Sequence, residues 1–194
     1  MTDARDLAEE RIAEAAAVTQ RMLEGDLAAE IATVAELLVD AYRNGGKAVF
    51  CGNGGSAADA QHLAGEFLGR YLRERRSLPA VALADGISTV TAIANDYGFD
   101  EVFARQLEGV VQAGDVVVAM STSGRSENVL RAVDRARELG AVTVGMTGAD
   151  GGPLAERCHH CLRAPTDQTP RIQEAHMVVG HTLCEYVERE LFAA

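Results

Sequence analysis

The sequence predicts an α/β protein: a doubly wound sheet of five parallel strands behind an N-terminal helical hairpin. Three observations carry this reading. Residues 1–44 are rich in Ala, Leu and Glu, and their apolar side chains return every three or four positions, the period of an amphipathic helix. Beyond Gly45-Gly46 the period changes, and five short runs rich in Val, Ala and Ile alternate with helical stretches. Those runs are nearly continuous apolar blocks, as strands covered on both faces require.

Taken in order, Asp6 to Leu23 and Leu27 to Arg43 form the hairpin. The strands are expected at Ala48 to Cys51, Ala80 to Ala84, Val116 to Met120, Val142 to Met146 and His160 to Ala164, the last with the thinnest apolar content. Helices are expected over His62 to Leu72, Ile87 to Ala94, Asp100 to Val111, Asn128 to Leu139 and Ile172 to Leu191. There is no internal repeat or linker, so residues 1–194 read as one domain with 1–44 as its hairpin. A hairpin of this length has two faces and an α/β unit covers one of them. Oligomerisation through the other is expected; a hairpin packed wholly on its own sheet is the alternative, since the extra apolar positions are mostly alanine.

Composition excludes several functions. A formal net charge of −11, with no basic run beyond Arg73 to Arg76, would repel a phosphodiester backbone, so no nucleic-acid partner is expected. No apolar run approaches the ~20 residues of a membrane span. Residues Met1 to Glu10 lack the basic and apolar regions of a signal peptide, so a cytoplasmic location without membrane association is expected. Cys51, Cys158, Cys161 and Cys184 are too sparse for a disulfide framework and fit a reducing compartment.

Two strand-to-helix loops look like ligand cradles. The first, Cys51-Gly52-Asn53-Gly54-Gly55-Ser56-Ala57, lets the backbone approach an anion or hydroxyls closely. It is not a Walker loop, and it fits a dinucleotide fingerprint only with Ala57 in place of the last glycine and Asp85 as the acid after the second strand. The second, Ser121-Thr122-Ser123-Gly124-Arg125-Ser126, crowds four hydroxyls into one turn before a helix. A single serine would suffice to cap that helix, whereas several hydroxyls and free backbone N–H groups suit a phosphate dianion. In open α/β sheets ligands sit at the carboxyl ends of the strands, where both loops lie.

The groups able to do chemistry stand on the following helices. His62 and Glu66, four residues apart, share one helix face and could ligate a metal or move a proton; surface helices also carry such pairs by chance. The final helix places Gln173, Glu174, His176 and His181 among apolar residues, with His176 read as a hydrogen-bonded core or surface histidine. Asn95-Asp96 lies near the same sheet edge. Cys158-His159-His160-Cys161 invites a zinc reading, but a strand points alternate side chains to opposite faces.

Read together, Gly52 through Glu66, Asn95-Asp96-Tyr97-Gly98-Phe99, Ser121-Thr122-Ser123-Gly124 and Arg171-Ile172-Gln173-Glu174-Ala175-His176 resemble the sugar-isomerase (SIS) family. The resemblance covers nearly the whole chain and implies a flavodoxin-like sheet. Within the family the motifs are similar to members acting on a phosphorylated seven-carbon sugar. That implies an aldose–ketose isomerase interconverting sedoheptulose 7-phosphate and D-glycero-D-manno-heptose 7-phosphate, as a homotetramer with active sites near subunit interfaces. It implies one zinc per subunit on His62, Glu66, Gln173 and His181, although Gln173 and His181 are separated by ~12 Å of helical rise. Glu66 and His181 would be catalytic. Asn53, Gly54, Gly55, Ser56, Glu66, Asn95, Asp96, Ser121, Thr122, Ser123, Ser126 and Gln173 would bind substrate. A non-catalytic SIS protein that binds a replication initiator, and an isomerase of another sugar phosphate, are the alternatives.

Overall fold

In the computed structural model, which describes residues 3–192, all five strands are present and parallel, in the order β2-β1-β3-β4-β5. The outermost residues of the expected 1–194 domain and 1–44 hairpin lie outside the described range. The strands are β1 (Ala48–Gly52), β2 (Ala80–Ala82), β3 (Val116–Met120), β4 (Val142–Thr147) and β5 (His160–Arg163). The register sets Ala48 beside both Ala80 and Val116, Val116 beside Val142, and Val144 beside His160. Every residue of β1 and β3 is buried, which is why both read as unbroken apolar blocks.

Side chains alternate across the sheet and so build two cores. Phe50, Val118 and Met120 face one cluster, with Leu38 of α2 (Leu27–Arg43), Phe67 of α3 (Gly55–Leu68) and Val179 of α8 (Thr169–Leu191). Val49, Cys51 and Val117 face the other, with Leu107 of α5 (Ala104–Val110), Val133 of α6 (Glu127–Glu138) and Leu154 of α7 (Gly152–Arg157). Each such fully buried side chain is worth ~1.5–3 kcal/mol relative to an exposed one, so losing either layer would unfold the sheet. Helix α1 (Ala4–Arg21) lies against α8, and its outer face leaves Leu7 and Ile12 exposed.

Several boundaries differ from expectation for local reasons. Helix α3 starts at Gly55, seven residues before His62, because Gly54 turns the chain with φ +57° directly into it. It stops at Leu68 rather than Leu72, where Arg75 takes over its last carbonyls. Strand β2 ends at Ala82 because the Asp85 N–H turns back onto the Ala82 carbonyl. Helix α4 (Ile87–Tyr97) runs on through Asn95 and Asp96. The stretch expected as one helix from Asp100 divides into a 3-10 turn, Phe99–Glu101, and α5. Pro170 in its first turn starts α8 at Thr169, ahead of Ile172.

Candidate active site

The strand order reverses between β1 and β3, and their carboxyl ends lie side by side with Gly52 in register with Met120. Such a switch point is where doubly wound sheets hold ligands. The loops leaving the two strands are locked together by reciprocal amide bonds: Asn53 Nδ2 donates to Asn128 Oδ1 at 2.8 Å and Asn128 Nδ2 to Asn53 Oδ1 at 2.9 Å. In the hydroxyl-rich loop, Ser121 Oγ and Ser126 Oγ stand 3.0 Å apart, Thr122 is half-buried and Ser123 exposed. Ser126 occupies the N-cap position of α6, yet its side chain makes no capping bond and turns instead to the Ser121 hydroxyl, which leaves the first N–H groups of the helix uncapped by it. Gly124, at φ +63°, seats this loop on the Gly151–Gly152 turn so closely that a Cβ would overlap the Gly151 carbonyl oxygen. A hollow of about 160 Å³, lined in part by Gly52, Asn53, Gly54 and Phe99, opens beside the first loop. Asn95 and Asp96 are exposed on the last turn of α4, with Asn95 Nδ2 donating to Asp96 Oδ1 at 2.8 Å.

The second half of the site lies between α3 and α8. Gly180 lets the two helices touch, since a Cβ there would come within 2.5 Å of Leu63 Cδ2. At that level His62 Nε2 lies 3.0 Å from His181 Nε2 and 3.3 Å from Glu66 Oε1. The donor atoms of His62, Glu66 and His181 all fall within 4.8 Å of one another, the one such group of three His, Cys, Asp or Glu donors found among the described residues. The His62 side chain is 48% exposed and that of Glu66 23%, so the group is open to solvent on one side. Two imidazole nitrogens and one carboxylate oxygen suit zinc, whose catalytic sites combine three protein ligands with an open fourth position. Gln173 stands about two turns before His181 on α8. Its amide packs against Gly55, two helical turns earlier on α3, beside the first loop and the buried Ser56.

Other candidates are accounted for by the core. His176 is buried, its Nε2 donates to the Thr147 carbonyl at 3.1 Å, and burial pushes its pKa down to about 4. His159 Nδ1 accepts from the Thr143 N–H at 3.0 Å, and burial pushes the Cys158 thiol up to about 12, so the Cys158 to Cys161 stretch presents no ready ligand set.

The sequence reading missed Tyr71, Arg75 and Glu188. The Tyr71 ring stacks on His181, with centroids 5.3 Å apart and planes at 28°. Arg75 and Glu188 form a buried ion pair beneath it, with Nε and Oε1 2.8 Å apart. A charged residue at 188, on the apolar stripe that Cys184 and Val187 mark, was the available signal.

Comparisons with known proteins agree with this architecture. The SIS domain family model matches residues 12–148. A phosphoheptose isomerase of Rhodospirillum rubrum is 56% identical over 167 residues, covering 86% of this chain and 89% of that protein. The solved structure of a phosphoheptose isomerase from Neisseria gonorrhoeae superposes with a TM-score of 0.90 at 40% identity, covering 96% of this chain and 99% of that one. One from Francisella tularensis gives 0.93 at 34% identity, covering 97% and 100%. A match at this identity over nearly the full length of both partners settles kinship as well as fold: the chain belongs to the SIS domain family, and within it to the phosphoheptose isomerases.

Proposed function

We propose that the chain interconverts sedoheptulose 7-phosphate and D-glycero-D-manno-heptose 7-phosphate by moving a proton between C1 and C2 of the open-chain sugar. The observation that carries the residue assignment is the convergence of His62, Glu66 and His181 on two helices that flank a hydroxyl-lined switch point. Ser121, Thr122, Ser123 and Ser126 grip the phosphate with the N-terminus of α6. Asn53, Gly54, Gly55, Ser56, Asn95, Asp96 and Gln173 take the sugar hydroxyls. Anchoring the phosphate fixes the reacting carbons, which removes much of the entropic barrier. Glu66 is the base that removes the proton from one carbon and returns it to the other, and His181 exchanges protons with the sugar oxygens. Groups of this kind contribute ~10²- to 10⁴-fold in rate each.

His62, Glu66 and His181 would hold zinc, which supplies Lewis-acid polarisation of the sugar oxygens when bound. Gln173, whose amide packs against Gly55, is proposed as the fourth ligand. A homotetramer is expected: Leu7, Ile12 and Leu23 are exposed on the hairpin, no residue of α4 is buried, and an apolar groove of about 570 Å³ lies between hairpin and α8. Light scattering should then give about four times the chain mass of 20.6 kDa. Among the described residues no helix is long and apolar enough to cross a membrane. A cytoplasmic location is proposed on the acidic composition and sparse cysteines.

The test is turnover of sedoheptulose 7-phosphate followed by NMR. Wild-type protein should form the aldoheptose phosphate, and Glu66→Gln should abolish conversion while keeping its fold. Near-full activity in that variant would remove Glu66 from the mechanism. Metal analysis of protein purified without added metal tests zinc: less than about a tenth of an equivalent, with activity surviving a chelator, would end that role.

A further inference from the structure

The buried pair Arg75–Glu188 joins both helices of the active site and lies outside every role assigned so far. Its side chains are 1% and 2% exposed. Glu188, two turns beyond His181 on α8, accepts the backbone N–H groups of Tyr71 at 2.7 Å, Leu72 at 2.8 Å and Arg73 at 3.0 Å, besides Arg75 Nε. Arg75 in turn donates to the carbonyls of Glu66 at 2.8 Å, Phe67 at 2.9 Å and Arg76 at 3.0 Å. One end of this network therefore closes α3 on the backbone of Glu66 itself. The other end indexes α8, and the segment between presents Tyr71 to the His181 ring. A buried ion pair with nearly all its hydrogen bonds satisfied is often no more stabilising than apolar residues of the same volume. What such a pair supplies that apolar residues cannot is one fixed relative position of the groups it joins.

We infer that Arg75 and Glu188 are positioning residues that set the mutual geometry of His62, Glu66 and His181, with Tyr71 as the contact on the His181 ring. This rests on the metal reading of the three donors. Outer partners of metal ligands typically govern affinity by ~10- to 100-fold, and that is the size of effect expected here.

The experiment compares Glu188→Gln with a matched control, Asp115→Asn. Asp115 is also a buried carboxylate, accepting the Lys47 and Gln112 N–H groups at 2.9 and 2.8 Å and pairing with Lys47 Nζ at 2.6 Å. It lies at the opposite end of the sheet from the binding loops, before β3. Cobalt(II) is titrated into metal-free wild type and each variant below their melting temperatures, and the visible absorption of the bound ion gives affinity and coordination geometry. Both variants should lose thermal stability. Only Glu188→Gln should weaken cobalt binding by tenfold or more and alter the spectrum, while Asp115→Asn keeps both. If Glu188→Gln does not fold, Arg75→Lys is titrated instead, since a lysine cannot reach Glu188 and the α3 carbonyls together. Wild-type affinity and spectrum in the folded variant would overturn the inference. Absence of binding by wild type would overturn the metal reading first, and this inference with it.

Discussion

Replacing His176 with phenylalanine should make the protein less sensitive to mild acid. The imidazole is buried, Nε2 donates to the Thr147 carbonyl, and Nδ1 has no partner, so the folded chain holds it neutral. Burial lowers its pKa from 6.5 to about 4, whereas the unfolded chain leaves it near 6.5. The sign follows from proton uptake. Below pH 6.5 the unfolded state binds a proton that the folded state refuses, so stability is full above that value and falls toward pH 4. Below pH 4 both states are charged and the loss levels off. The linkage relation puts the cost at about 1 kcal/mol at pH 6, about 2 at pH 5 and about 3 at pH 4. Urea unfolding at pH 7.5 and pH 5 measures it. Wild type should lose about 2 kcal/mol more than His176→Phe over that interval. His159, also lowered by burial, pulls in the same direction but titrates in both proteins and cancels. Equal losses would mean that the core accepts a charged His176, and would refute the reasoning.

Other perturbations address the cradle and the helix contact. Gly124→Ala combines a left-handed backbone with overlap of the Gly151 carbonyl, so it should lose ~1–3 kcal/mol of stability and raise KM for the sugar phosphate more than it lowers kcat. Steady-state kinetics separate the two constants. Asn128→Ala removes both amide bonds to Asn53, each worth ~0.5–1.5 kcal/mol, and should raise KM with the fold intact by circular dichroism. Gly180→Val forces α3 from α8 at Leu63; overpacking of this kind costs ~1–3 kcal/mol, and calorimetry with a zinc titration should show weaker metal binding as well as a lower Tm.

The parallel sheet was legible because β1 and β3 are buried on both faces and so spell unbroken apolar runs, while β4 keeps the pattern with Thr143 and Thr147 buried among its apolar residues. Edge strand β5 has only Leu162 fully buried, which is why its apolar content was thin. Helix α7 passed unnoticed because six residues are too few to display a period. Within the site, His62 and Glu66 were visible as a pair because spacing along one helix is a local property. The approach of His181 to His62, 119 residues away, was not local: it depends on α8 docking alongside α3 through Gly180. The same holds for Glu188, whose partners are 113 to 117 residues distant. Helical rise sets Gln173 and His181 apart along α8, and the Gln173 amide packs on Gly55 at the start of α3.

The amide lock between Asn53 and Asn128 also constrains the order in which the chain can mature. Its halves are 75 residues apart, and β1 pairs with β3 across a similar separation. At ~5–20 residues per second, synthesis of that interval takes roughly 4 to 15 s. Until β3 has been made, the nascent chain can offer β1 at most β2 as a neighbour, leaving the other edge of the strand open to pairing with a second nascent chain. Helices α1 and α2, held by their own i to i−4 hydrogen bonds, can form in that window, but both pack against α8, which is made last. The candidate cradle is thus completed only when the start of α6 has been made, and a ribosome stalled before residue 116 would hold a chain with an open edge on β1 and neither the second loop nor the amide lock.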